Sequence, residues 1–261
     1  MANTELEHLS YSSISLYLLC PRAWKFRYVE KVAVSTSPAL VFGSAFHETI
    51  EEYIAKQATG DLDTGLSEIW ERNWRAKLES EPDIDWGTES PDILAKDGKR
   101  ILQTKEIVET LDELARNFDE KSSLEKFVSL RVPGVPVPVV GYIDIITADG
   151  IPGDFKTAAR AWGADKAQNE TQSLFYLAAL NQEGDDRHGW RFRHYVFTKT
   201  AKPRVQVLEH RHTAEEVFWL FENIASVWRG IEAGVFPCRP GTWKCSPKYC
   251  EFWTMCRGKY V

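Results

Sequence analysis

The stretch GYIDIITADGIPGDFKT, residues 141–157, predicts a β-hairpin that carries three charged side chains. Two runs rich in Ile and Phe flank Ala148-Asp149-Gly150, which suits a three-residue loop made of a type I turn and a left-handed glycine. In that register Asp144 lies opposite Asp154. Lys156 is two residues further along the strand, so it points to the same face as Asp154.

The chemistry of this hairpin depends on what separates its two carboxylates. Directly opposed residues place their Cβ atoms about 4.5–5.5 Å apart, so the two charges repel unless solvent or a cation lies between them. Mg²⁺ binds carboxylate oxygens together with waters and phosphate oxygens, and such a cation activates water for attack on a phosphate. Lys156 would orient that water or neutralise developing charge. The hairpin therefore has the parts of a phosphodiester hydrolase, although its charges also suit the solvated face of an ordinary strand.

The rest of the chain predicts helices first, and then strands that alternate with helices. Helices are predicted at residues 11–19, from Pro21, and at 39–57, 64–79, 98–118, 164–181 and 213–232. Strands are predicted at residues 124–130, 136–147, 151–157, 190–198 and 204–211. Residues 80–97 are predicted as a loop because of their Pro and Gly content, and Thr213 with Glu216 as a capping box. This order predicts an α/β fold with a mixed central β-sheet flanked by helices.

Three motifs together resemble the PD-(D/E)XK nuclease superfamily, and in particular its RecB-type branch. Asp144 followed by Asp154-Phe155-Lys156 is similar to the paired acidic residues and lysine of that family. GSAFHETIE, residues 43–51, resembles the first motif of the branch. There His47 matches an additional metal ligand, and Glu51, one helical turn later, is a further candidate.

The third motif is Gln172-Ser-Leu-Phe-Tyr176, which resembles the Gln-x-x-x-Tyr motif on the helix after the catalytic strand. Residues four apart share one face of a helix, so Gln172 and Tyr176 are both expected at the site. The resemblance implies a restriction-endonuclease-like core and hydrolysis of DNA by a water that Mg²⁺ or Mn²⁺ activates. It implies that the metal is held by His47, Asp144, Asp154 and the backbone carbonyl of Phe155. It also implies that Lys156 positions the water.

The cysteines predict a second metal centre. Four of the five lie in the last 24 residues, and Cys20 stands near the start. An odd number of cysteines, in a chain whose start lacks a signal-peptide pattern, argues against a disulfide framework. The branch that includes the CRISPR-adaptation nucleases holds a [4Fe-4S] cluster with one early and three late cysteines. The resemblance therefore implies a cluster held by Cys20, Cys245, Cys250 and Cys256 that ties the tail to the first helix.

A zinc site remains the alternative to the cluster. Cys238, Cys245, Cys250 and Cys256 are close in sequence and would suffice for tetrahedral zinc. Thiolate softness does not separate zinc from iron–sulfur, and the four-residue gap between Cys245 and Cys250 is longer than the commonest family spacing. Cys20 has a role only in the cluster, and the role of Cys238 stays open.

Charge gives mixed indications about nucleic acid. The net charge is −6, whereas nucleic-acid binders usually carry a basic surface. Two segments, 21–31 and 190–204, are nevertheless basic and rich in aromatics. Candidate phosphate-binding residues are Lys25, Arg27, Arg160, Lys166, Arg191 and Arg193. Candidate side chains for stacking on unpaired bases are Trp24, Trp162 and Trp190.

The expected organisation is a single nuclease domain over residues 1–261. It would have a helical N-terminal part to about residue 120, a core from about 121 to 235, and a Cys-rich metal-binding tail from about 236 to 261 that closes onto Cys20. No apolar run approaches the roughly 20 residues that span a bilayer. We therefore expect a cytoplasmic protein, of a bacterium or a phage-infected cell, without a membrane partner.

The family resemblance favours an exonuclease that acts on DNA ends or single strands. Its expected partners are DNA and a helicase or a recombination or adaptation protein, in DNA repair, recombination or phage DNA metabolism. Two other classes stay open. One is a catalytically inactive DNA-binding or assembly module of the same fold, and the other is a zinc-stabilised interaction protein.

Overall fold

The computed structural model describes residues 6–61 and 63–257, which pack as two compact units. The first unit takes Met1–Ser35, Ser129–Gly141 and Ala214–Val261, and the second takes Thr36–Val128 and Tyr142–Thr213. These units reflect how the segments pack in space and do not test whether the chain is one nuclease domain. The expected single nuclease domain therefore stays a prediction.

Helices and strands follow the α/β order predicted from the sequence. The helices are α1 (Tyr11–Leu19), α2 (Pro21–Trp24, continued by a π-helical turn Lys25–Val29), α3 (Pro38–Ala58), α4 (Leu66–Ser80), α5 (Pro91–Leu102), α6 (Lys105–Arg116), α7 (Ala164–Gln168), α8 (Thr171–Gln182), α9 (Glu216–Glu232) and α10 (Trp253–Cys256). The strands are β1 (Leu9–Ser10), β2 (Ser123–Leu130), β3 (Val139–Ile146), β4 (Pro152–Ala158), β5 (Arg191–Thr198) and β6 (Val205–Arg211).

The strands form a mixed sheet, as predicted. Their order is β1-β3-β4-β5-β6, with β2 also paired to β3. The β3–β4 and β5–β6 pairs are antiparallel, whereas β4 and β5 are parallel. Parallel neighbours need a crossover, and α7 and α8 lie in the chain between β4 and β5. This crossover brings the Gln-x-x-x-Tyr helix back beside the hairpin.

The hairpin of β3 and β4 has the predicted register. Ile145 pairs with Gly153 and Ile146 with Pro152. The turn closes with Gly150 at φ +76°, and its N–H donates to the Thr147 carbonyl at 2.8 Å. Only glycine adopts this left-handed conformation without a steric cost, so the turn residues fix which side chains lie across from each other.

Helix α3 gives the second unit its core and carries the His motif. The Ser37 hydroxyl accepts the Leu40 N–H and Pro38 starts the helix, a favoured N-terminal combination. Phe42, Phe46 and Ile50 on α3 are fully buried. Their spacing of four residues places them on one face of the helix, which packs against the sheet in one apolar cluster with Phe155.

Three predicted boundaries were wrong. The predicted loop 80–97 contains the start of α5, which has Ser90 at its N-cap position, without a side-chain cap bond, and Pro91 at its first helical position. Gly98 lies inside that helix, where a Cβ would be 2.1 Å from the Trp70 ring, so close packing rather than chain reversal explains this glycine. The predicted helices 98–118 and 164–181 are each divided in two. The capping box does not form, because α9 begins at Glu216 after an N-cap at Glu215 that makes no side-chain cap bond.

The first unit packs aromatic side chains from both ends of the chain. Trp24 is fully buried and its ring stacks on Phe236 at 5.7 Å. The Tyr17 hydroxyl donates to the Val235 carbonyl at 2.7 Å. The prediction that Trp24 stacks on DNA bases was therefore wrong, since its ring is used in the core. Within the described ranges, none of the helices has the length and apolar character needed to cross a membrane.

Candidate active site

The two hairpin carboxylates lie where the β3–β4 ladder ends. Beyond the pair of Ile145 and Gly153, the Phe155 N–H donates to Asp144 Oδ2 at 2.6 Å. The Asp144 and Asp154 side chains are only 14% and 4% exposed. The regular backbone pairing of β3 and β4 therefore stops at the acidic residues. There the Asp144 carboxylate accepts a hydrogen bond from the β4 backbone instead.

Two side chains of α3 approach Asp144. His47 Nδ1 is 3.4 Å from Asp144 Oδ2. One ligand atom each of His47, Glu51 and Asp144 lies within 4.8 Å of the other two. Glu51 is buried, and its Oε1 atom has no hydrogen-bond partner. A buried carboxylate oxygen normally has a partner, so an imidazole and two carboxylates with an orphaned oxygen fit a divalent cation.

The electrostatics of these groups also fit a cation. Burial, with the nearby Asp154 charge, raises the pKa of Asp144 well above its usual range. Burial, with Glu125 and Glu48, raises the pKa of Glu51 to about 8. Burial lowers the pKa of His47. All three shifts disfavour the charged form, and a bound cation would reverse the two carboxyl shifts.

Lys156 connects the hairpin to α8. Its Nζ atom lies 2.8 Å from Asp154 Oδ1 and 2.7 Å from Asp154 Oδ2. It also donates to Gln172 Oε1 at 3.1 Å. Burial alone would lower the pKa of Lys156, but the Asp154 and Asp144 carboxylates outweigh it and raise that pKa. The lysine is therefore a fixed, protonated ammonium group.

The Gln-x-x-x-Tyr motif continues this chain of hydrogen bonds. Gln172 Nε2 donates to the Tyr176 hydroxyl at 2.9 Å, and that hydroxyl donates to the Tyr142 carbonyl on β3. The start of α8 is held in place by Ser173, whose Oγ lies 2.8 Å from His212 Nε2. The sequence motifs on α3, β3, β4 and α8 thus meet at one place, with the lysine beside the acidic residues.

All five cysteines line one small cavity in the first unit, of about 20 Å³. None is in a disulfide. Phe26 and Phe252 form part of the apolar wall, and Cys20, Cys250 and Cys256 pack against them. The tail cysteines and Cys20 therefore share this cavity.

The sulfur spacing bears on which group this cavity suits. Cys238 Sγ and Cys256 Sγ are 3.9 Å apart, close to the roughly 3.8 Å edge of a tetrahedron with Zn–S bonds of about 2.3 Å. Among the described cysteines, however, no three sulfurs lie within 4.8 Å of one another. Burial and Cys238 raise the pKa of Cys256 to about 11, and burial also raises the pKa of Cys250. The close pair of sulfurs thus includes Cys238, and all five cysteines share the cavity in which either metal group could lie.

The six basic candidates fall into two groups. Four lie beside acidic side chains in ion pairs: Lys25 with Glu30 (2.9 Å), Arg27 with Glu251 (2.9 Å), Arg191 with Glu209 (3.8 Å), and Arg193 with Asp149 (2.7 Å) and Glu209 (2.8 Å). The other two, Arg160 and Lys166, border a cavity of about 390 Å³. Lys166 Nζ stands 4.0 Å above the Trp162 ring, and Trp190 packs edge-on against His188. Arg160 and Lys166 are thus the better placed of the six for phosphate contacts.

Sequence reasoning missed two features near the site. Glu170, just before α8, acts electrostatically on Lys156; no motif marks it. Phe127 on β2 and Tyr142 on β3 are 51% and 56% exposed, with ring centroids 5.4 Å apart. Side chains alternate between the two faces of a strand, so the position of Asp144 would have placed Tyr142 on the same face. No pattern in the sequence near Phe127 indicates that it lies beside Tyr142.

Comparison with known proteins agrees with this arrangement. The family model of the PD-(D/E)XK nuclease superfamily matches residues 8–257. The crystal structure named "Putative exonuclease" from Eubacterium rectale is similar with a TM-score of 0.56 and 15% identity, over 92% of this chain and 87% of that chain. The crystal structure of SSO0001 has a TM-score of 0.46 and 15% identity, over 98% of this chain and 89% of that chain. No curated protein sequence matches the chain.

Proposed function

Because the chain belongs to the PD-(D/E)XK nuclease superfamily, we propose that it is a divalent-metal-dependent deoxyribonuclease. It hydrolyses phosphodiester bonds and acts as an exonuclease at DNA ends. The observation that carries the proposal is the position of Lys156, which contacts Asp154 and Gln172 beside the group of His47, Glu51 and Asp144. An ammonium group beside such a set of acidic residues suits stabilisation of the charge that develops on a phosphate.

The proposed metal is Mg²⁺ or Mn²⁺. His47, Asp144, Asp154 and the backbone carbonyl of Phe155 hold it, with Glu51 as an additional ligand. The orphaned Oε1 of Glu51 supports this set. When bound, such a cation supplies an activated water and stabilises negative charge on the phosphate.

The side chains of the chain itself supply position and charge. Asp154 keeps Lys156 protonated and in place, so the ammonium group can orient the attacking water and neutralise charge that develops on the phosphate. Gln172 fixes the direction of the lysine, and the Tyr176 hydroxyl fixes Gln172. These three polar contacts are made before substrate arrives, and preorganised donors of this kind act without a reorganisation cost.

The proposed second group is a [4Fe-4S] cluster that stabilises the first unit. Cys20, Cys245, Cys250 and Cys256 would hold it through four thiolates. The cavity that these four cysteines share supports it. Zinc on Cys238, Cys245, Cys250 and Cys256 is the rival, and iron, sulfide and zinc analysis of anaerobically purified protein separates the two.

The exonuclease class and the biological setting rest on similarity. A structurally similar protein from Eubacterium rectale carries an exonuclease name, and the family motifs are complete here. We propose DNA ends or single strands as the substrate, in the cytoplasm of a bacterium or phage-infected cell. A helicase or a recombination or adaptation protein is the proposed partner, in DNA repair, recombination or phage DNA metabolism.

The test compares end-labelled linear DNA with closed circular DNA, both single- and double-stranded, in Mg²⁺ or Mn²⁺. Wild type and Asp154→Asn run side by side, since this variant keeps the shape of the buried side chain. Degradation of linear DNA by wild type alone supports the proposal, and equal cleavage of circles rejects the requirement for ends. Binding without cleavage by the folded, metal-loaded wild type would instead identify an inactive DNA-binding module.

A further inference from the structure

We propose that Phe127 and Tyr142 form a stacking platform for unpaired bases, so that the site receives the single-stranded end of a DNA substrate. This inference rests on the proposed nuclease function and deepens it by naming the form of the substrate. The platform is defined as the two rings of Phe127 and Tyr142 on neighbouring strands β2 and β3.

The two rings are unusually accessible for aromatic side chains in a sheet. Phe127 is 51% exposed and Tyr142 56% exposed. Their planes meet at 63° with centroids 5.4 Å apart, in an edge-to-face contact. Among the described residues of the second unit, they are the two aromatic side chains with the largest exposed fractions. Two adjoining exposed rings therefore offer an apolar surface on which a planar ligand can stack.

The platform is joined to the metal ligands by the strand itself. Tyr142 precedes Asp144 by two residues on β3, so their side chains share a face about 7 Å apart along the strand. On β2, Glu125 lies two residues before Phe127 and within electrostatic range of Glu51. A phosphate at the metal ligands therefore places the neighbouring nucleotide beside these rings.

The platform is also connected to the catalytic lysine. The Tyr142 carbonyl accepts the Tyr176 hydroxyl, which in turn accepts a hydrogen bond from Gln172. Gln172 accepts a hydrogen bond from Lys156. The backbone that carries the Tyr142 ring is thus fixed relative to the lysine, as a subsite for the nucleotide next to the scissile phosphate requires.

The chemistry of the platform favours bases over phosphates. Aromatic rings stack on any base without reading sequence, and the two rings themselves carry no positive charge that would bind a phosphate. Bases within a duplex are already paired and stacked, so an end must be unpaired before its bases reach a protein ring. The geometry therefore selects single strands or frayed ends.

The first experiment measures kcat/KM of wild type, Phe127→Ala, Tyr142→Ala and the double variant on a single-stranded oligonucleotide. Stacking on aromatic side chains contributes about 1–3 kcal/mol per base, so each single variant should lose at least about fivefold. Phe127→Tyr and Tyr142→Phe keep the rings and should stay near wild type. Phe218→Ala, which removes a 74% exposed ring from the first unit, is the matched control and should change nothing.

A binding measurement tests base stacking on the platform independently of DNA cleavage. The probe is a single strand with 2-aminopurine near its end, bound in Mg²⁺ to the Asp154→Asn protein with and without Tyr142→Ala. If the 2-aminopurine fluorescence is quenched on binding and the Tyr142→Ala substitution abolishes this quenching, the result supports the platform. If wild type never cleaves but the quenching still depends on Tyr142, the nuclease proposal fails while the platform stands. If the Ala variants keep both quenching and single-strand cleavage, the platform is rejected.

Discussion

The Lys156 ammonium group donates to the Gln172 side-chain carbonyl at 3.1 Å while it contacts both carboxylate oxygens of Asp154. Gln172 thus gives the lysine a second polar contact in addition to its counterion. A lysine side chain is otherwise a flexible stem, and a group that acts on a transition state must be held in place beforehand. This contact between α8 and β4 gives the Gln-x-x-x-Tyr helix a direct part in orienting the proposed catalytic lysine.

Removal of the Lys156 charge should abolish cleavage without unfolding the protein. We expect Lys156→Met to lower kcat by about 10²–10³, the typical effect of losing one transition-state donor. Steady-state cleavage of linear DNA measures this, with circular dichroism as the check on folding. Lys105→Ala, which removes a side chain that is 88% exposed, is the control. A Lys156→Met protein with more than about a tenth of wild-type kcat would contradict the assignment.

Loss of the Gln172 contact should have a smaller effect that depends on the lysine. We expect Gln172→Ala to lower kcat about tenfold with little change in KM, because the lysine keeps its charge but loses its fixed direction. Tyr176→Phe should act in the same direction and more weakly. In the Lys156→Met background, Gln172→Ala should add almost nothing, and this non-additivity separates a positioning role from a purely structural one. Additive losses would argue against it.

Stability of the metal-free protein should fall as the pH rises. The pKa of Glu51 is about 8 in the folded protein and near 4.5 when unfolded, so the folded state binds the extra proton between these values. The stabilisation is present below about pH 4.5 and is lost as the pH rises toward 8. One pKa unit corresponds to about 1.4 kcal/mol, which makes the expected loss on the order of a few kcal/mol.

Urea denaturation in EDTA at pH 5 and pH 8 measures this effect, with Glu51→Gln as the matched variant. The variant should show a smaller pH dependence than wild type, because it has no carboxyl group to ionise. Mg²⁺ should restore wild-type stability at pH 8, since it binds the folded state. Identical pH dependence in both proteins would show that Glu51 does not carry the shift.

Substitution of a proposed cluster ligand should change the visible absorbance of the protein before it changes the cleavage of DNA. Cys250→Ser removes a proposed cluster ligand, so we expect loss of iron, of visible absorbance and of soluble yield. Cys238→Ser should keep iron and absorbance, because Cys238 is outside the proposed set. Iron analysis with absorbance spectra checks both. Zinc in place of iron, lost in the Cys238→Ser protein, would favour the zinc site.

The hairpin and the helix motifs could be predicted because their information is local. Three turn residues fix the register of β3 and β4, and spacing of four along α3 and α8 fixes which side chains share a face. The same spacing pointed from His47 to Glu51. By contrast, Trp24 was assigned to DNA because nothing near it in the sequence shows that Phe236 covers its ring.

The exposure of side chains and their contacts across strands could not be predicted from the sequence either. The pairing of Phe127 with Tyr142 depends on how β2 lies against β3, and no short motif encodes that register. The neutralisation of Arg193 depends on Glu209, which lies opposite it on the adjacent strand β6, and on Asp149 in the turn between β3 and β4. The start of α5 was missed although Ser90 and Pro91 provided a standard signal, because the neighbouring Pro and Gly residues outweighed it.

The interleaving of the two units sets an order for biosynthesis. The second unit draws on Thr36–Val128 and Tyr142–Thr213, whereas the first needs both Met1–Ser35 and Ala214–Val261. Domains generally fold as units during translation. The nuclease motifs can therefore assemble on the ribosome before the C-terminal segment that packs with the N-terminal helices has been synthesised. The cysteine cavity comes into existence only after residue 256 has emerged. Any metal group that these cysteines hold can therefore be loaded only after the tail has emerged, and a nascent chain that stops early carries the acidic residues without the cysteine cavity.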